Sequence, residues 1–174
     1  MIPGRNSFLS ASIFLIFSIQ SFAQSVDELE KRYGFKDIKL ETHINLYPSL
    51  EPVKIHHKDK KEGVTAYEAV KGAYDQIGEI KVHEVMVLAY DSMIFEISVI
   101  TEKDGNLYKG LEKAFGKPQN TVGYGAYTWK TDKLSLTFRS HSKSKLEIRY
   151  HVFAYEKWLK EEKKEKIEEV SSDF

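Results

Sequence analysis

Two neighbouring stretches of strict alternation constrain this fold more than any other feature of the sequence. From Leu134 to Ser140, and again from Lys145 to Val152, apolar and polar side chains follow one another in turn. Successive side chains of a strand point to opposite faces, so a period of two predicts two antiparallel strands with one covered face and one wetter face. The short polar link from Ser140 to Ser144 suits a hairpin between them.

Further strands are predicted where β-branched, aromatic and other apolar residues concentrate between turn residues. A hairpin is expected where a two-residue Asp91-Ser92 turn separates two such runs. The predicted strands are Lys36–Leu40, Ile80–Tyr90, Met93–Thr101 and Tyr124–Lys130. By contrast, the prolines at positions 48 and 52 and the charged run after them predict loop.

Helices are predicted at both ends and in the middle of the chain. The segments are Val26–Gly34, Asn106–Phe115 (with Gly116 and Pro118 closing it) and Phe153–Val170. Thr65–Ile77 stays open, because its apolar residues recur at helical spacing while Gly72 disfavours a helix. The predicted fold class is therefore α+β: a single antiparallel sheet of about five to seven strands with a mid-chain helix and a C-terminal helix.

The first 23 residues have the pattern of a secretory signal peptide. Arg5 precedes an apolar run from Phe8 to Ile19, and small residues stand at Ser21 and Ala23, which predicts cleavage at Ala23-Gln24. The alternatives are an uncleaved anchor and a buried helix. A spanning helix needs about 20 apolar residues, and this run has 12 with serines inside it. The predicted divisions are a signal peptide at 1–23, an α+β domain at 24–155 and a charged C-terminal helix or tail at 156–174.

Charge and cysteine content exclude several classes of function. Without residues 1–23, the chain has 151 residues, 25 basic and 26 acidic side chains, and a net charge of −1. This balance argues against nucleic acid as a partner, and no stable membrane span is expected after cleavage. Because the sequence contains no cysteine, it can hold no disulfide, cysteine-based zinc site, iron–sulfur cluster or covalent c-type haem. We expect no cofactor.

The order of the elements resembles a group of small, mostly secreted bacterial α+β proteins of unknown function. The resemblance rests on the opening segment from Gly34 to Ile44 (GFKDIKLETHI), the helix end Phe115-Gly116-Lys117-Pro118 and the strand motif Tyr127-Thr128-Trp129. It covers about residues 34–151 and implies that residues 65–74 are strand or loop. Glu41 departs from the group, which usually has Gly there. The resemblance implies the fold and carries no activity.

No catalytic or metal-binding motif is present. His56 and His57 are adjacent in a charged loop, and neighbouring side chains of an extended chain diverge, so the pair suits a metal ion poorly. Neither GxSxG nor SxxK occurs, and Gly123-Tyr124-Gly125 lacks the spacing of a dinucleotide site. We predict no catalytic and no metal-ligating residue.

One segment has a local excess of basic residues. Tyr124–Arg149 contains six basic and two acidic side chains, and the alternation places Arg139 and Arg149 on the wetter face of the sheet. Such a face suits an anionic polymer or an acidic protein surface, whereas the alternative is a solvated outer face that keeps the protein soluble. The predicted binding residues are Lys133, Arg139, Lys145, Arg149, Tyr127 and Trp129, the two rings counting only if they are exposed.

From the sequence we therefore expect a periplasmic or extracellular protein that acts as a non-catalytic binding or interaction module of the bacterial envelope. The partner is open between an anionic polymer and another envelope protein. The alternatives are a secreted hydrolase with an unrecognised site and a structural role.

Overall fold

The computed structural model describes residues 27–54, 62–122, 125–172 and Phe174, with the side chains of residues 120–122 left aside. The predicted signal peptide, the His56-His57 pair and part of the Gly123-Tyr124-Gly125 segment lie outside the described residues. Within them, no helix is long and apolar enough to span a bilayer.

The described chain contains three α-helices and eleven strands, some of them only two residues long. The helices are α1 (residues 27–32), α2 (Gly105–Phe115) and α3 (Ala154–Ser172). The strands are β1 (Gly34–Phe35), β2 (Ile38–Lys39), β3 (Leu50–Val53), β4 (Val64–Ala69), β5 (Gln76–Ile77), β6 (Ile80–Tyr90), β7 (Met93–Glu102), β8 (Asn120–Val122), β9 (Ala126–Lys130), β10 (Leu134–Ser140) and β11 (Lys145–Val152).

Eight of these strands form one antiparallel sheet in the order β3-β4-β6-β7-β11-β10-β9-β8. The two-residue β5 pairs with the start of β6, and β1 with β2 forms a separate hairpin. The α+β prediction is confirmed, with a mid-chain and a C-terminal helix, but the predicted five to seven strands are too few. The extra strands are short or stand at the edges, where Pro52 in β3 is tolerated because an edge strand need not donate every amide.

Residues 65–77, left open by the sequence, form β4, a turn and β5. Pairing with β6, which places Tyr67 opposite Val87, overrides the helical spacing. The β6–β7 hairpin turns on Asp91 and Ser92, both at positive φ (46° and 70°), as a two-residue turn with the twist of a hairpin requires.

The sheet has two faces of different character. The face that we call the covered face packs against α1, the β1–β2 hairpin and α2, and it forms most of the core; its central residues are Val87, Ile97, Val99, Leu136, Ile148 and Val152, which are almost fully buried. We call the opposite face the open face; within the described residues, the first turns of α3 cover one end of it. There, the ring of Tyr155 stacks on Phe95 with centroids 3.8 Å apart.

Candidate functional site

The open face is the surface on which the sequence placed its cations. Arg139 and Arg149 lie on the side opposite Phe138 and Ile148, as the alternation predicts, but an anion lies between them. The side chain of Glu147 is only 3% exposed. Its carboxylate accepts hydrogen bonds from Arg139 Nε and from Arg149 Nη2, each at 2.5 Å. Ser98 Oγ donates to the same carboxylate at 3.0 Å. Burial raises the pKa of Glu147, but the two guanidinium groups outweigh it and hold that pKa below its ordinary value.

The charge pairing continues along the open face towards α3. Arg149 Nε lies 3.7 Å from Glu96, and Glu96 lies 3.1 Å from His151 Nδ1. The other ring nitrogen, Nε2, is 3.1 Å from Glu156 in the first turn of α3. An imidazole with a carboxylate at both nitrogens donates twice only when it is protonated. The hydrogen bond to Glu96 raises the pKa of His151, burial opposes it, and Glu156 adds to the rise. The charged side chains of the open face therefore form a row, the open-face row, in which basic and acidic groups alternate and balance one another: Arg139, Glu147, Arg149, Glu96, His151 and Glu156.

The other predicted binding residues lie elsewhere. Lys133 is in the β9–β10 turn, where its Nζ is 3.1 Å from Glu30, and Lys145 lies opposite Glu102 at the sheet's far end. Tyr127 and Trp129 are on the covered face. Trp129 is 3% exposed and donates from Nε1 to the Gly116 carbonyl at 2.7 Å, while Tyr127 packs against the Tyr108 ring at 4.6 Å. The structure therefore does not bring these six residues onto one surface, and the buried ring of Trp129 offers no face for stacking.

A cleft on the covered side is the strongest candidate site. It lies between α2 on one side and α1 with the β1–β2 hairpin on the other, and it has a volume of about 670 Å³. Its apolar lining consists of Phe35, Ile77, Ile80, Leu107, Leu111, Ala114, Phe115 and Ile148, with Gly34, Gly78 and Gly110 beside them. The polar lining consists of Arg32, Lys36, Lys39, Asn106 and Tyr150. An apolar interior with a few polar groups is typical of small-molecule sites.

The wall formed by the β1–β2 hairpin depends on one glycine. Gly34 pairs with Lys39, and a Cβ at position 34 would lie 2.1 Å from the Ile38 carbonyl oxygen. Only glycine allows this approach of two backbones. The close turn brings both Lys36 (φ 52°) and Lys39 into the lining of the cleft.

The three cations that line the cleft are held mainly by backbone carbonyls and aromatic rings. Lys36 Nζ donates to the Gln76 carbonyl at 2.8 Å, and Lys39 Nζ donates to the Arg32 and Lys36 carbonyls at 2.6 and 3.1 Å. Within the described chain, neither lysine has a carboxylate within ion-pair distance. Arg32 pairs with Glu28 at 2.9 Å, and its guanidinium lies 5.4 Å from the Phe115 ring centroid.

Tyr150 adds a hydroxyl to the cleft lining. The residue is 5% exposed, and its hydroxyl makes no hydrogen bond to a described residue. Burial raises the pKa of this phenol above its ordinary value, and the nearby Arg32 only partly offsets that rise. The hydroxyl is therefore protonated at neutral pH and can donate a hydrogen bond.

Sequence reasoning did not find this cleft. Lys36 and Lys39 lie in the segment that resembles the secreted group, but the sequence pattern there predicted only a strand and no binding residue. The useful signal was the clustering of Arg32, Lys36 and Lys39 around Gly34 and Phe35 within eight residues. Nothing in the sequence shows that α2, some 70 residues later, forms the other wall.

Two further features bear on catalysis. A more polar cleft of about 500 Å³ lies between the β4–β5 connection and β6, lined by the mixed charges of Glu68, Lys71, Asp75, Lys81, His83 and Glu84. In the part of the chain that the structure describes, no three His, Asp or Glu side chains are grouped so that they could hold a metal ion.

Comparison of this chain with protein-family models, with curated proteins and with solved structures finds no match in any of the three. The interpretation of the site therefore depends on its own geometry.

Proposed function

We propose that this protein is an exported, non-catalytic binding module of the bacterial envelope that holds a small, largely apolar molecule in the cleft between α2 and the β1–β2 hairpin. The observation that carries the proposal is the cleft itself. Its volume of about 670 Å³ falls within the range of small-molecule sites, about 300–1,000 Å³. Export is supported by the secretory pattern of residues 1–23.

The cleft is built on rigid elements, which favours binding over mere surface irregularity. Its floor includes Ile148 and Tyr150 of β11, a central strand that pairs along its whole length with β7 and β10. One wall is the apolar side of α2, with Leu107, Leu111 and Phe115. A preformed apolar site loses little conformational entropy when a ligand enters.

The chemistry of the lining supports a non-catalytic role. Among the described residues, the cleft contains no histidine, no carboxylate and no serine or threonine hydroxyl. These groups supply most general bases and nucleophiles in hydrolases. The lining therefore does not favour the secreted hydrolase that the sequence left open.

The proposal is tested by calorimetric titration of the purified protein with octan-1-ol and decan-1-ol. Both alcohols should bind with one-to-one stoichiometry. Each buried methylene contributes about 0.8 kcal/mol, so the two extra methylenes of decan-1-ol should lower the Kd about tenfold.

The matched variants are Gly110→Leu and Gly105→Leu, both on α2. Gly110 lines the cleft, Gly105 does not, and an added Cβ meets no heavy atom within 4 Å at either position. Both changes favour the helix by a few tenths of a kcal/mol or more, so neither should unfold the protein. Gly110→Leu should weaken alcohol binding because the new side chain occupies part of the cleft, while Gly105→Leu should leave binding unchanged. Absence of binding to the unmodified protein, or equal binding by both variants, would overturn the proposal.

A further inference from the structure

We propose that the natural ligand is a single-chain amphiphile with an oxyanion head group, held by Arg32, Lys36, Lys39 and the Tyr150 hydroxyl while its apolar chain lies against the apolar residues of the cleft. This inference rests on the proposed function and adds the chemical class of the ligand.

The lining of the cleft has an excess of positive charge. Arg32, Lys36 and Lys39 line one cleft, and among the described cleft-lining residues there is no acidic side chain to balance them. Among the described residues, the only carboxylate in an ion pair with any of the three is Glu28, which accepts from Arg32 Nε at 2.9 Å. The cleft therefore combines three cations with a largely apolar lining, and a molecule that satisfies both has an anionic end and an apolar body.

Arg32, Lys36 and Lys39 have N–H groups that make no hydrogen bond to a described residue. An ammonium group has three N–H donors and a guanidinium group has five. Lys36 uses one of its donors on Gln76, Lys39 uses two, and Arg32 uses one on Glu28. All three side chains line the same cleft, and an oxyanion accepts several hydrogen bonds at once, which are short and charge-assisted.

The side chains of Lys36 and Arg32 are also restrained by aromatic rings. Lys36 Nζ lies 5.6 Å from the Phe35 ring centroid and 5.7 Å from that of Tyr74, and Arg32 lies over Phe115. Cation–π contacts and backbone carbonyls restrain these long side chains without neutralising their charge. Less side-chain entropy is therefore lost when an anion binds.

Tyr150 supplies one more hydrogen-bond donor. The residue lines the cleft and is 5% exposed. Its hydroxyl makes no hydrogen bond to a described residue and is open to solvent in the cleft. A phenol hydroxyl with a free proton can donate to an oxyanion that binds beside Arg32.

The decisive experiment uses three ligands with the same ten-carbon chain: decanoate, decan-1-ol and decyltrimethylammonium, each titrated below its micelle concentration. We expect decanoate to bind at least about tenfold more tightly than decan-1-ol, and the cationic analogue to bind more weakly than either. Raising the salt concentration should weaken only decanoate, since salt screens exposed charges. Equal affinities for decanoate and decan-1-ol would overturn this inference and leave the proposed function standing. Failure of all three to bind would overturn both.

Variants separate the head-group contacts from the fold. Lys36→Gln and Lys39→Gln should each weaken decanoate about tenfold and leave decan-1-ol unchanged, and the unchanged alcohol binding would show an intact cleft. Lys109→Gln, on exposed α2 surface away from the cleft, removes the same charge and should change neither affinity. If Lys109→Gln weakened decanoate as much as Lys36→Gln does, the effect would be one of net charge and the assignment of the head-group site would be wrong.

Discussion

The two sides of the sheet treat their charged residues in opposite ways. On the open face, Arg139 and Arg149 are balanced by Glu147, which is buried between them, and by Glu96 beside Arg149. At the cleft on the covered side, Lys36 and Lys39 donate to backbone carbonyls and keep their net charge. An excess of basic residues in a stretch of sequence therefore does not locate a binding surface. What matters is whether the fold places acidic partners beside the cations.

The largest effect on stability should come from removing the anion of the open face. In Glu147→Gln the two guanidinium groups lose their shared partner, and because both are partly exposed, water compensates for part of the loss. We expect destabilisation by about 2–3 kcal/mol, measured by urea unfolding. Glu51→Gln, on the exposed edge of the sheet, is the control and should change stability by less than about 0.5 kcal/mol. Equal effects of the two changes would show that the open-face row does not stabilise the fold.

A pair of cation replacements compares the two sides directly. Arg149→Gln removes the bonds to Glu147 and the contact with Glu96 and should cost about 1–2 kcal/mol. Lys36→Gln removes an exposed cation with no described carboxylate partner and should cost less than about 0.5 kcal/mol. Unfolding of both variants in the same denaturant series tests this, and the reverse order would contradict the proposed division of roles.

The pH dependence of stability should reveal the contribution of His151, which links Glu96 on the sheet to Glu156 on α3. The groups facing His151 are Glu96 of β7 and Glu156 of α3, with the rings of Phe95, Phe153 and Tyr155 around it. Because the pKa of folded His151 is raised from 6.5, its contribution is complete below about pH 6.5 and declines as pH rises through the higher folded value. Denaturant unfolding at a series of pH values should show this decline, and His151→Gln should remove it.

Acid acts on a different group of the open face. The pKa of Glu147 is lowered in the folded protein, so its contribution is present above the pKa of an unfolded glutamate and is lost as pH falls through the lower folded value. His151→Gln should therefore remove the loss of stability that occurs as pH rises and leave the loss at acid pH unchanged. Persistence of the loss at rising pH in the variant would assign that loss to another group.

The smallest effect should come from the cleft. Tyr150→Phe removes a hydroxyl that lines the cleft and has no described hydrogen-bond partner, so stability should change by no more than about 0.5 kcal/mol. In the same variant decanoate should bind more weakly and decan-1-ol should bind unchanged. A large loss of stability would mean that the hydroxyl supports the fold and not a ligand.

The sequence was sufficient wherever local pattern and tertiary environment agree. The bounds of β10 and β11 match the two alternating stretches, and the β6–β7 hairpin turns at the predicted residues, because a period of two fits a strand that is covered on one face. The short edge strands β3 and β8 carry no such pattern. In Thr65–Ile77 the helical spacing was overridden by pairing with β6.

By itself, then, the sequence determined the α+β class, the central strands, the end of α2 at Phe115 and the absence of cysteine chemistry, since these follow from residue type and nearest neighbours along the chain. Only the tertiary structure decided which charges are paired. Glu147 lies between Arg139 and Arg149 because β10 and β11 pair in one particular register. The cleft exists because residues 32–39, 107–115 and 148–150, distant along the chain, meet on the covered face of the sheet.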